Sequence, residues 1–172
     1  MRNDNAKWAA PLEQNRADVV GKNARLSLQP LSRQTMLSGP AAQCLALADQ
    51  PSASGWPDIA RGESYAIRLR RDRILAVNGP ALTDGWHERS GVAVSDMTGG
   101  YAACTLSGPR ALDILKTGTA LELALPSGSA MQRFHRQEVI IYRWQAEDTF
   151  RIHTQRGQLE SLWGLLAALV VK

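Results

Sequence analysis

Three histidines, two cysteines and one tight cluster of arginines are the side chains with which this sequence could do chemistry. His87, His135 and His153 and Cys44 and Cys104 lie far apart along the chain, so they form no ligand spacing of a structural zinc site. His87-Glu88 opens a zinc-protease pattern, yet Gly91 stands where its second histidine belongs, so the pair reads as a polar helix end. The pattern supplies neither cysteine with a histidine partner, and both read as small buried hydrophobes rather than nucleophiles. Ser38 and Ser107 sit at strand-to-helix turns. Ser-Gly-Pro is not the G-x-S-x-G elbow, and helix capping is a sufficient reason for a serine there. Both glycine-rich phosphate loops are absent, and Gly99-Gly100 reads as a turn. Asp96 suits a turn brace, with no second titrating group nearby for acid–base work. His135 and His153 flank a hairpin and read as surface or core-edge residues. Arg68, Arg70, Arg71 and Arg73 form the dense basic cluster, with Arg68 and Arg70 on one strand face. The cluster reads as a solvated hairpin face, with a patch for an acidic partner or polyanionic ligand as the functional alternative. The sequence therefore assigns no catalytic residue, no cofactor-binding residue and no metal ligand.

The elements that position these residues are announced by a repeat. Thr35-Met36-Leu37-Ser38-Gly39-Pro40-Ala41-Ala42 is matched by Cys104-Thr105-Leu106-Ser107-Gly108-Pro109-Arg110-Ala111. In each copy leucine ends a strand, Ser or Gly stands at the cap position, and Pro enters the first helical turn, where its missing N–H costs nothing. After the first helix a polar loop runs from Asp49 to Gly62. Ser64–Arg70 then alternates as a strand, Arg71-Asp72 turns, and Arg73–Val77 returns. Asn78-Gly79-Pro80 breaks the pattern, and Ala81–Glu88 is expected to be a short helix. The second copy continues likewise: a loop through Pro126–Ser129, a strand at Glu138–Trp144, a turn, a strand at Thr149–Thr154, and a closing helix from about Gln158 to Val171. That helix carries Leu159, Leu162, Trp163, Leu166, Leu169 and Val170 on one stripe and Ser161, Gly164, Ala167 and Ala168 opposite, which predicts burial on both sides, within the chain or against another subunit. Each half thus reads strand, helix, hairpin, helix, with a three-stranded antiparallel sheet and helices on one face. The expected architecture is α+β: residues 1–25 as a flexible arm with Trp8 as a possible partner anchor, then one domain, 26–172, of two similar halves at about 26–90 and 91–172.

Composition bounds the setting. The chain has 172 residues, 44% hydrophobic and 21% charged, a globular balance for one compact domain or two small fused lobes. Its +4 net charge comes from 16 arginines and 4 lysines against 16 acidic residues. The arginines are mostly scattered, and arginine excess suits protein interfaces, so nucleic-acid binding is set aside. Two cysteines are too few for a disulfide framework and fit a reducing compartment. No apolar run approaches the roughly 18 residues of a membrane span, and Met1–Lys7 offers no secretion signal. A cytoplasmic location without membrane contact is expected.

Ser95-Asp96-Met97-Thr98, Tyr101–Leu106, Ser107-Gly108-Pro109-Arg110-Ala111 and Asp113-Ile114-Leu115 together resemble the gamma subunit of heterotetrameric sarcosine oxidase. In that family an Asp-Val-Ser is followed by a strand, Leu-Ser-Gly-Pro and a leucine-rich helix; Asp96 and Thr98 fall on the Asp and Ser. The likeness continues through Leu121-Glu122-Leu123, Pro126-Ser127-Gly128, Gln132, Val139-Ile140-Ile141, Trp144, Phe150-Arg151-Ile152 and Leu162-Trp163, covering roughly residues 84–170. Glycine-cleavage aminomethyltransferases share the Asp-x-Ser and Ser-Gly-Pro elements. The resemblance implies a tetrahydrofolate-binding, aminomethyltransferase-like fold. It also implies a small non-catalytic subunit that packs against the large folate-binding subunit of a complex oxidising an N-methyl amino acid. FAD, FMN, NAD and tetrahydrofolate would be held by partner subunits and none by this chain. No counterpart of the acidic segment serving folate chemistry is present, so no catalytic residue is carried over. The alternative is a stand-alone folate-binding or aminomethyl-transfer protein, in which the arginine cluster meets a glutamylated folate tail.

Overall fold

Glycine, not serine, makes both turns of the repeat. Ser38 and Ser107 are the last residues of their strands, and neither following helix has a side-chain cap; the cap positions are Pro40 and Arg110. Gly108 adopts φ +109°, and a Cβ there would lie 2.7 Å from the Asn23 carbonyl oxygen. At Gly39 a Cβ would lie 2.6 Å from the Gly91 carbonyl oxygen. Each glycine admits the backbone that enters a neighbouring strand, which a side chain would push away.

A computed structural model describes residues 16–30, 32–56, 58–119 and 128–172. The elements in order are β1 (Val19–Val20), β2 (Arg25–Leu28), β3 (Gln34–Ser38), α1 (Ala41–Leu47), β4 (Ala53–Ser54), β5 (Ile59–Ala60), β6 (Tyr65–Arg70), β7 (Arg73–Val77), β8 (Gly85–His87), β9 (Val92–Asp96), β10 (Tyr101–Ser107), α2 (Ala111–Lys116), β11 (Met131–Phe134), β12 (Gln137–Trp144), β13 (Thr149–Gln155) and α3 (Leu159–Val170). They form two sheets. One has the order β1-β2-β10-β13-β12-β11, with β5 added parallel to β12; the other runs β4-β6-β7-β3-β9-β8. This is the α+β class, with mixed sheets and few helices.

Both hairpins lie where alternation predicts them, β6–β7 and β12–β13. In both sheets the Leu-Ser-Gly-Pro strand pairs antiparallel with the second hairpin strand, β3 with β7 and β10 with β13. The expected three-stranded sheets are, however, only the middles of larger ones. β2, which precedes β3 in sequence, joins β10; β9, which precedes β10, joins β3. Backbone pairing therefore crosses residue 90 in both directions. Ala81–Glu88 is not helical: it holds the edge strand β8, whose three residues pair with Val92–Val94. Of the 1–25 segment, residues 1–15, including Trp8, lie outside the described residues. Val19–Val20 form β1, and Arg16 Nη2 donates to both carboxylate oxygens of Glu160 at 2.8 Å. Residues 120–127, with Leu121–Leu123 and Pro126, also lie outside them.

The layers run helix, sheet, sheet, helix. Beneath α2 and α3, the first sheet contributes Leu26, Cys104, Leu106, Phe150 and Ile152 to a core with Leu115, Leu162, Trp163 and Leu166. Trp56, from the polar loop, completes this core by stacking on Phe150 at 5.9 Å. Between the sheets lie Tyr65, Ile67, Leu69, Leu75, Ile140 and Tyr142. Under α1, on the far side, Leu37, Cys44, Ala48, Ala66, Ile74, Ala76 and Val94 form a smaller core. Helix α3 buries Leu159, Leu162, Trp163, Leu166 and Val170, whereas Glu160, Ser161, Gly164 and Ala168 are exposed on the isolated chain. No helix among the described residues is long and apolar enough to cross a membrane.

Candidate functional site

Strand alternation places Arg33, Thr35 and Leu37 on the α1 side of the second sheet, because Leu37 packs there. By the same rule Val92, Val94 and Asp96 face that side from β9, and Thr35 stands directly opposite Asp96. Helix α1 has only seven residues and leaves this end of the sheet uncovered. The chain bridges it instead with the segment 79–84, pinned at both ends. Arg33 Nη1 donates to the Gly79 carbonyl at 2.9 Å, and the Asp96 N–H donates to Asp84 Oδ1 at 2.6 Å. The result is a cleft of about 340 Å³ lined by Ser32, Arg33, Thr35, Ala81, Leu82, Asp96 and Thr98. That volume lies within the roughly 300–1,000 Å³ typical of small-molecule sites.

Asp96 does brace its turn: its Oδ1 accepts the Thr98 N–H at 2.8 Å. The Thr98 hydroxyl and N–H hold the Asp96 carboxyl below the usual carboxylate range, with the Arg33 charge adding to the effect. Thr98 Oγ1 also accepts the Gln34 N–H at 3.0 Å, which ties the turn to β3.

A second polar feature lies between the sheets. Arg151 Nη1 donates to the Tyr65 hydroxyl at 3.0 Å, and Tyr65 and Tyr142 hydroxyls are 2.8 Å apart. Tyr142 meets His153 Nε2 at 2.7 Å, and His153 Nδ1 meets Gln34 Oε1 at 2.7 Å. Gln34 Nε2 donates to the Tyr101 carbonyl at 3.2 Å. Arginine can only donate and a carbonyl can only accept, so both ends fix the direction of the chain. Every hydroxyl donates toward His153, whose Nε2 accepts and whose Nδ1–H donates to Gln34. A proton added at Nε2 would reverse the hydroxyls toward the Arg151 cation. Burial, with Arg151 adding, pushes the His153 imidazole down to about 3. Burial likewise raises Tyr142 well above the usual phenol range. The relay joins β3 of one sheet to β12 and β13 of the other and stays neutral at its centre.

The remaining sequence candidates are dispersed. Cys44 and Cys104 are both buried free thiols; burial pushes Cys104 up to about 12 and raises Cys44, with Asp72 adding. His87 lies on β8 with Nε2 2.7 Å from the Thr83 carbonyl oxygen. His135 is exposed at the β11–β12 turn and edge-on to Phe134 at 4.8 Å. Arg68, Arg70 and Arg71 are exposed, whereas Arg73 donates to Ser38 Oγ at 3.0 Å. Sequence reasoning passed over Arg33, Gln34, Thr35, Tyr65, Tyr142 and Arg151. A polar Gln34-Thr35 pair at the start of an otherwise apolar strand was the available signal. Among the described residues no three His, Cys, Asp or Glu side chains converge as metal ligands.

No protein-family model matches the chain. No curated protein matches it in sequence. Its fold is found in solved structures. A chain of the heterotetrameric sarcosine oxidase from Corynebacterium sp. U-96, solved in complex with pyrrole 2-carboxylate, superposes with a TM-score of 0.68 at 16% identity, covering 99% of this chain and 94% of that one. Aminomethyltransferase T of the glycine cleavage system from Bartonella henselae superposes with a TM-score of 0.53 at 18% identity, over 86% of this chain and 46% of that chain. At these identities the likeness is one of fold. The chain has the fold shared by these proteins, and it spans under half the length of the aminomethyltransferase.

Proposed function

We propose that this chain is a small non-catalytic subunit, of the gamma type, in a heteromeric flavin-dependent oxidase of sarcosine or another N-methyl amino acid, docked on the large folate-binding subunit. The observation that carries this reading is coverage. The superposition runs over 99% of this chain and 94% of the sarcosine oxidase chain, so the two are of nearly equal length. The chemistry of the interior agrees with the reading. Both thiols and His153 are buried, and the inter-sheet relay runs from the half-buried Arg151 to the Tyr101 carbonyl without meeting a thiol or a carboxylate. FAD, FMN, NAD and tetrahydrofolate belong to partner subunits, and the assembly works in the cytoplasm. The matching strand order around β3 and β10 supports descent from two similar halves, about 26–90 and 91–172, that have exchanged β2 and β9.

Docking uses the exposed side of α3. Gly164 and Ala168 let a partner backbone approach closely, and the half-buried Leu165 and Leu169 flank them. Co-expression with the putative flavin- and folate-binding subunits, followed by size exclusion with light scattering, tests the proposal. Stoichiometric co-elution is expected, with Ala168→Arg releasing this chain and leaving its own melting temperature within a few degrees. A monomer with no affinity for the folate-binding subunit would overturn it.

A further inference from the structure

The cleft on the α1 side of the second sheet has a charge arrangement that the subunit role does not use. Arg33 lies on one wall and Asp96 on the other, diagonal to each other across β3 and β9, with Thr35 between them on the floor. Diagonal neighbours of an antiparallel pair have Cβ atoms roughly 7–8 Å apart or slightly less. The two charges feel each other, yet they do not form an ion pair. One guanidinium nitrogen of Arg33 is spent on the Gly79 carbonyl, which fixes the head in place. Asp96 is likewise fixed through Thr98, and Asp84 adds a second carboxylate on its side. The cleft is therefore a dipole, positive at one wall and negative at the other. Thr35 supplies a hydroxyl with no hydrogen-bond partner among the described residues, and Ala81 and Leu82 supply an apolar roof.

We propose that this cleft binds a free α-amino acid as its zwitterion, with Arg33 taking the carboxylate, Asp96 the ammonium, Thr35 a carboxylate oxygen and Leu82 the side chain. Arginine's planar fork matches a carboxylate, and a fixed carboxylate matches an ammonium. Both charges are solvated, so each contact is weak and the affinity is millimolar rather than micromolar. Matching both ends of the ligand at once supplies the selectivity. A monocarboxylate would leave Asp96 beside an unneutralised anion, and an amine would leave Arg33 unmatched. The binding belongs to this chain and needs no partner subunit.

The test is an NMR titration of the isotope-labelled full chain with L-alanine, propanoate and ethylamine. The last two are alanine without its amino group and without its carboxylate. Saturable shifts confined to residues 32–35, 79–84 and 94–98 are expected for alanine, with at least tenfold weaker binding of each truncated probe. Asp96→Asn and Arg33→Gln should each weaken alanine by tenfold or more. Arg33→Lys keeps the charge and should recover part of that loss; Lys and Gln can each donate to the Gly79 carbonyl, so the difference between them reports the charge at the ligand rather than the tether. Propanoate binding as well as alanine would overturn the proposal in favour of a plain anion site. So would the absence of saturation at about 100 mM alanine, a concentration far above any millimolar dissociation constant.

Discussion

The outer faces of the two sheets are covered very differently. Over the first sheet, α2 and the 12-residue α3 bring Leu115, Leu162, Trp163 and Leu166 down onto Phe150 and Leu106, and even a loop residue, Trp56, is drawn in. Over the second sheet, the seven-residue α1 offers Cys44 and Ala48 to a surface of Ala66, Ala76, Ile74 and Leu37. Large side chains fill the first layer. Small ones and a short helix fill only part of the second, and the remainder is bridged by 79–84 over the Arg33–Asp96 cleft. Ligand-sized space arises where the covering element ends before the sheet does.

The largest expected effect contrasts the two copies of the repeat. Leu106→Ala should cost about 4 kcal/mol, because its aromatic neighbours are held too tightly to close the cavity. Leu37→Ala should cost about 2–3 kcal/mol, since small neighbours under a short helix settle into the gap. Urea unfolding midpoints measure both, and equal losses would break the contrast. Next comes Gly108→Ala, expected to cost about 3 kcal/mol from its left-handed backbone and the close approach of Asn23. Gly91, at φ +64° with nothing within 4 Å of a Cβ, should lose only about 1 kcal/mol on the same change. Thermal melts of the two variants test whether close approach, rather than φ alone, governs these turns.

A smaller effect concerns acid. His153 is packed between the sheets against Gln34, Tyr142 and, through the hydroxyls, Arg151. Its folded value of about 3 lies below the ordinary 6.5, so the unfolded chain binds the proton first. Stability is therefore complete above about pH 6.5 and declines as pH falls from there toward 3, by up to about 1.4 kcal/mol per unit. His153→Gln should be less stable at neutral pH but flatter in that window, which unfolding midpoints at pH 7, 6 and 5 would reveal. The smallest effect is at the surface. Arg16→Ala loses the pair with Glu160 and the stacking over Trp163, and should cost about 0.5–1 kcal/mol, falling with added salt.

Much of this was legible in the chain. Alternation located β6, β7, β12 and β13 because each has an apolar face that must be buried. The repeat located β3, β10 and the two helices after them. The stripe of Leu162, Trp163, Leu166 and Val170 located α3. Ala81–Glu88 misled because its spacing suits a short helix, whereas the free edge of β9 draws Gly85–His87 into a strand. The capping chemistry of Ser or Gly at these turns is local and shows in the sequence, while the close passage of Asn23 and Gly91 beside the glycines is a long-range fact. The cleft was invisible for the same reason: Asp96 stood out as a turn residue, but Arg33 joins it only through the pairing of β3 with β9.

By itself the sequence determined the central strands β3, β6, β7, β10, β12 and β13, the three helices and the apolar side of each, because period and turn chemistry are properties of neighbouring residues. Tertiary structure decided who pairs with whom. The exchange of β2 and β9, the neutral tautomer of His153 and the meeting of Arg33 with Asp96 all depend on contacts across about 60 residues or more of chain. Such contacts form only when burying the apolar faces outweighs the entropy of closing those long loops, and no local pattern records that balance.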